Sequence, residues 1–270
     1  MAQSFNPPDK AFVMRAIWTG TIGFGLVNIP VKLFSATESS DLDLDMLDKK
    51  DHSNIRFKRV NEKTGKEVAY ENIVRAYNLD GNYVILTDAD FKQASPEKTK
   101  MIEIAEFVDE KEIDSVYFDT PYYLEPQKAG VKAYALLRDA LKKSGKAGVA
   151  TFVLRSKESL ALLKTSGKAL MLQKIRYSQE IRNTEELDLP GSTSKPAELK
   201  MAISLIDQLT DKFDIDKYKD TYSSELMKLI KAKSKGKKIV QPKMRVVHSK
   251  SDDLLDQLKA SLSGKKKKAS

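Results

Sequence analysis

Between residues 15 and 37 the chain reads RAIWTGTIGFGLVNIPVKLFSAT, and its apolar positions alternate twice. Ile22, Phe24 and Leu26 alternate with small or polar residues, and Ile29, Val31 and Leu33 resume the alternation after a break. A period of two marks a half-buried strand, so the segment predicts a strand pair. Gly20, Gly23 and Gly25 predict sharp bends or close backbone approach, and Pro30 restricts its strand to an edge or a bulge. A barrel that turns corners needs such positions. Further strands are predicted at 83–86, 101–108, 116–124, 149–155 and 170–177. Val131, Tyr134, Ala135 and Arg138 recur at helical spacing, which predicts a helix over 128–143 with Gly145 just past its end. A second, shorter helix is predicted over 156–166. Many strands with few helices between them favour an antiparallel barrel over a βαβ fold.

From residue 194 the pattern turns helical. Pro196 and Glu198 suit a first turn, and Ala202, Leu205, Ile206, Leu209 and Phe213 form an apolar stripe. Another helix is predicted from about 221, with Tyr222, Leu226, Leu229 and Ile230 on its face. The following KAKSKGKKIVQPKMRVVHSK has no periodicity and predicts disorder. In SDDLLDQLKASL, Ser251 suits a cap, Asp252 and Asp253 suit a helix N-terminus, and Leu254, Leu255, Leu258 and Leu262 make a short apolar stripe. So short a helix is marginal alone in water. It is either a docking peptide between two basic linkers or a segment that packs back on the body.

The whole-chain net charge of +9 hides an asymmetry. Residues 228–270 hold fourteen Lys or Arg against three Asp, so the other 227 residues have a net charge of −2. Lys235, Lys237, Lys238 and the run Lys265, Lys266, Lys267 and Lys268 make the tail an arm for nucleic acid or another anionic surface. A solubilising terminus is the plain alternative. A nucleoid-associated or RNA-binding protein whose affinity comes mainly from this tail would share the composition. At 270 residues and 41% hydrophobic content the chain can bury one large core plus a smaller C-terminal module.

No cysteine is present, which excludes disulfides and thiolate metal sites and suits a reducing, cytoplasmic setting. No apolar run approaches the roughly 18 residues that a membrane span needs. Residues 1–13 lack a long apolar core and predict a flexible N-terminal extension, with Met14 an alternative start. The two histidines, His52 and His248, offer no triad or zinc cluster. There is no phosphate loop, and Gly20, Gly23 and Gly25 run against the dinucleotide fingerprint. Asp41, Asp43 and Asp45 alternate with leucines like a solvated edge rather than a nuclease metal site. The sequence therefore predicts a binding protein without cofactor or metal, not an enzyme.

The opening motif closely resembles that of the bacterial Ku proteins, the DNA-end-binding factors of non-homologous end joining. The likeness continues through NIRFKRVNEKTGKEV at 54–68, IVRAY at 73–77, 102–108, PYYLEP at 121–126 and KAYALLRDAL at 132–141. It extends to RYSQEIR at 176–182, KPAELKMAISLID at 195–207 and DKYKDTYSSELMKLIKAK at 216–233. Many relatives carry a C-x-x-C pair where this chain has Asn61, Glu62, Lys63 and Thr64, so a zinc or redox role there is absent.

The resemblance implies a Ku-type β-barrel core with a looped bridge, inserted helices and a helical C-terminal region, assembled as a homodimeric ring threaded by DNA. The expected division is 1–13 as extension, 14–190 as barrel core with bridge, 191–233 as the helical part, and 234–270 as basic tail with a short amphipathic helix. A ring holds DNA topologically and needs only local positive charge on its inner wall. Candidate wall residues are Lys32, Arg56, Lys58, Arg59, Lys66 and Arg75 near the bridge. Lys174 and Arg176 join them, since they alternate with Ile175 and Tyr177. The implied partners are double-stranded DNA ends, a second copy of the chain, and the ATP-dependent end-joining DNA ligase, for which Leu254, Leu255, Leu258 and Leu262 are the docking candidates. The implied place is the nucleoid.

Overall fold

The structure, a computed structural model, describes residues 14–94, 100–155, 157–191, 195–236 and 258. Its contacts divide the chain into two units, one of residues 1–39 and 45–182, the other of residues 40–44 and 183–270.

The first unit is built on a closed seven-stranded barrel. Strands β1 (Trp18–Phe24) and β2 (Val27–Ser35) form the hairpin that the double alternation predicts. Strands β5 (Met101–Asp109), β6 (Phe118–Pro126), β7 (Lys146–Leu154), β8 (Lys157–Ser166) and β9 (Ala169–Ile175) complete it in the order β1-β2-β6-β9-β8-β7-β5. Every pair is antiparallel except β1 with β5, whose parallel pairing closes the barrel. Alternation decides what points inward. Ile29, Val31 and Leu33 of β2 are fully buried and meet Ile22, Ile102, Phe152, Leu163, Leu170 and Leu172 in one core, while Lys32 faces out. Pro30 sits where the ladder to β6 has not begun, so its missing N–H leaves no partner unsatisfied.

Helix α2 (Val131–Ser144) lies across one end of this barrel and buries Tyr134, Leu137 and Leu141 in the same core. Gly145 ends it, its N–H bonded to the Leu141 carbonyl at 3.0 Å. The predicted second helix is corrected: residues 157–166 are the strand β8, paired on both sides by β7 and β9. Its run of Leu160, Ala161, Leu162 and Leu163 is apolar on both faces, and periodicity cannot separate a buried strand from a buried helix in so short a run.

Residues 45–94 form an arm inserted between the end of β2 and the start of β5. Both points lie at the barrel end opposite α2. Within the arm, β3 (Arg75–Leu79) and β4 (Asn82–Leu86) form a hairpin across Asp80 and Gly81, and α1 (Asp88–Ala94) follows. Both turn residues have positive φ, 49° and 89°, the geometry of the tight hairpin turn that an Asp-Gly pair favours. Neither β3 nor α1 is among the elements that the sequence pattern predicted.

In the second unit, α3 (Pro196–Leu209) opens with proline at its start and a Glu198 carboxylate that accepts the Lys195 N–H at 3.3 Å. Helix α4 (Thr221–Ser234) is capped by Asp220, which accepts the Ser223 N–H at 3.2 Å. Neither helix buries a residue; Leu199, Ile203, Ile206 and Leu209 of α3 are all exposed.

Candidate nucleic-acid interface

The arm carries most of the predicted cations. It has no core of its own, and short-range hydrogen bonds shape it instead. The Asp48 carboxylate accepts the Lys50 N–H at 2.7 Å and that of Asp51 accepts the Ser53 N–H at 2.9 Å, folding a turn through His52. Bonding to Ser53 holds the Asp51 carboxyl below the ordinary range. The Asn61 side chain accepts the N–H groups of Lys63 and Thr64, both at 3.0 Å, and so closes a second turn. That turn lets Val60 bridge to Glu67, with Arg59 opposite Val68 and Asn61 opposite Lys66 in the chain's return.

The cations differ in how they are engaged. Lys58 pairs with Glu67 at 2.6 Å, and Arg59 lies 5.2 Å from the Tyr70 ring. Arg75 pairs with Asp88 at 2.9 Å and stacks 3.7 Å above the Phe91 ring. Arg56 and Lys66 are exposed and have no ion pair among the described residues. Lys32 stands on the barrel wall, not on the arm, with Glu125 3.9 Å away.

A second cluster occupies the barrel end from which the arm departs. Lys174 of β9 and Arg176 just beyond it both face Asp119 of β6, at 3.0 Å and 3.9 Å. Arg176 also donates to the Phe118 carbonyl at 2.6 Å. The hydrogen bond from Lys174 holds the Asp119 carboxyl below its usual range; the Lys174 and Arg176 charges add to it, against partial burial. Tyr177 beside them is pushed up by burial and by the charges of Glu158 and Glu180. The same small enclosure is lined by Lys157, a cation that sequence reasoning missed because the β7–β8 turn was hidden inside a predicted helix. Two apolar runs meeting at Arg155 and Ser156 are the signal that would have found it.

Lys235 is exposed at the end of α4. Lys237, Lys238, Lys265, Lys266, Lys267 and Lys268, with Leu254, Leu255 and Leu262, lie outside the described residues; Leu258 is described alone, as a half-buried helical residue. Among the described residues no three His, Asp or Glu gather as a metal site, and no helix is long and apolar enough to cross a membrane. The arm presents exposed cations, and the barrel end a half-buried pair, Lys174 and Arg176, beside Asp119.

Residues 23–201 match the family model described as the Ku70/Ku80 beta-barrel domain. The chain is 40% identical to the non-homologous end joining protein Ku of Coxiella burnetii over 262 residues, 94% of this chain and 96% of that one. It is 41% identical to the protein of the same name from Pseudomonas aeruginosa, covering 90% and 85% of the two chains. The Bacillus subtilis protein is 40% identical, with 94% and 83% covered. A matched barrel at this identity over nearly the whole length leaves one assignment: the chain belongs to the Ku family.

Proposed function

We propose that two copies of this chain form a ring that threads onto double-stranded DNA ends, protects them, and recruits an ATP-dependent DNA ligase for non-homologous end joining in the cytoplasm, at the nucleoid. The observation that carries the reading is the arm of residues 45–94 in a chain of this family. Phe57, Tyr70, Tyr83 and Ile85 are each more than half exposed on it, as are Ile206 and Leu209 of α3. So much uncovered apolar surface calls for a partner, and a second copy supplies one by symmetry. The relatives carry the name of end-joining proteins, which gives the DNA end as ligand.

The protein acts by binding, not by catalysis. Arg56 and Lys66 engage phosphates directly, and Lys58, Arg75, Lys174 and Arg176 exchange a carboxylate for a phosphate. Such contacts carry no base information, so binding is independent of sequence. The lysines of residues 234–270 add salt-sensitive attraction through counterion release. The leucine stripe at 254–262 is the segment assigned to the ligase.

The test is a gel-shift competition at matched salt between blunt linear duplex and the same DNA as a covalently closed circle. It compares the intact protein with a chain ending at Gly236. The reading expects a strong preference for free ends in both proteins. Equal binding to circles, or loss of all binding on truncation, would leave a basic-tailed nucleic-acid binder in its place.

A further inference from the structure

At the barrel end opposite the arm, a groove of about 410 Å³ lies between α2, the β1–β2 turn and β5. Phe24 and Val27 beside the β1–β2 turn, Phe107 of β5, and Leu136, Ala140 and Leu141 of α2 line it. Leu136 is 73% exposed and Phe107 45%, so the groove opens apolar surface to water. Its polar lining is Ser144 and Lys146 alone. Both are engaged: Ser144 donates to the Leu141 carbonyl at 3.3 Å and Lys146 pairs with Asp109 at 3.5 Å. Small-molecule sites orient their ligands with several convergent polar groups, which are missing here. A channel along a helix suits another mode, in which an amphipathic helix lays its apolar face into a groove.

The rim supplies a sign. Lys132, Leu136 and Lys143 stand at i, i+4 and i+11, so the two lysines border Leu136 along one stripe of α2. Both are exposed and without an ion pair among the described residues. Of the nearby acids, Asp139 is matched by Arg138 at 2.8 Å and Asp109 by Lys146, while Glu106 beside Phe107 is exposed and has no ion pair among the described residues. Along α2, the uncompensated charge beside the groove is positive, from Lys132 and Lys143.

We propose that this groove is the docking site for an amphipathic helix of a partner protein, whose apolar stripe fills the groove and whose bordering carboxylates meet Lys132 and Lys143. A second copy is the weaker occupant. The arm assigned to dimerisation leaves the barrel at its other end.

The probe is a fluorescein-labelled designed helical peptide, unrelated in sequence to this chain, with one leucine stripe bordered by three aspartates, titrated into the full-length protein by anisotropy. The proposal expects saturable binding that Leu136→Glu weakens at least tenfold. It also expects the pair Lys132→Glu and Lys143→Glu to weaken binding about tenfold, while binding better a probe whose three aspartates are lysines. All three positions are exposed, and an unchanged circular dichroism spectrum checks that the variants fold. Four outcomes overturn the proposal. These are no binding to intact protein, binding indifferent to all three substitutions, binding that emerges only when residues 237–270 are removed, and a fall in oligomer size with Leu136→Glu.

Discussion

The Tyr134 hydroxyl of α2 accepts the backbone N–H of Leu170 at 2.7 Å. The same oxygen donates to the Leu124 carbonyl, also at 2.7 Å, so one phenol ties the plugging helix to the ends of β6 and β9. Tyr134→Phe keeps the ring and strands both backbone groups in a buried place. Thermal or denaturant unfolding should show a loss of about 1–3 kcal/mol.

The same residue sets an alkaline limit. Burial pushes the Tyr134 hydroxyl above its ordinary value of 10.0. The unfolded chain therefore ionises first as pH rises. The stabilising contribution is complete below pH 10 and is lost as pH climbs through the higher folded value. Stability measured from pH 9 to 11 should fall less steeply in Tyr134→Phe than in the wild type.

Asp119 works in the opposite direction. Its carboxyl lies below the ordinary value of 3.8, so its contribution is present above 3.8 and lost as pH falls through the lower folded value. Asp119→Asn should flatten the acid limb of the stability profile and cost about 1 kcal/mol or less near neutrality, because the pair is partly solvated. It also releases Lys174 and Arg176. If those cations meet DNA, the variant binds linear duplex more tightly at low salt; unchanged affinity would remove both from the interface.

Gly20 packs where no side chain fits. An added Cβ would run into the Lys100 carbonyl and the Trp18 indole. Because Thr21 N–H bonds that same carbonyl at 2.8 Å, the intrusion would prise β1 from β5 where the barrel closes. Gly20→Ala should destabilise by about 1–3 kcal/mol. The emission of Trp18, the one tryptophan, should report the opening.

The β3–β4 hairpin tests the assembly. Ile85 is 59% exposed, so Ile85→Glu costs the isolated chain little. In a dimer that covers the arm it buries a charge. Sedimentation at micromolar protein should shift toward monomer; an unchanged dimer would place the interface elsewhere.

The alternation of residues 18–35 determined by itself a strand pair with a known inward face, because a strand's side-chain direction follows from local geometry alone. The spacing in 131–144 and the cap residues near 196 and 221 set three helices for the same reason. Two kinds of feature were settled only in three dimensions. Residues 157–166 became a strand because β7 and β9 lie on either side of them, a non-local pairing that an apolar run does not announce. Asp119 and Lys174 lie 55 positions apart in sequence and are partners only because β6 and β9 are neighbours. The sequence named Lys58, Arg75, Lys174 and Arg176 as cations, a matter of composition. Which of them already hold a carboxylate, and which, like Arg56 and Lys66, stand uncommitted, depends on distances that only the folded chain brings below 4 Å.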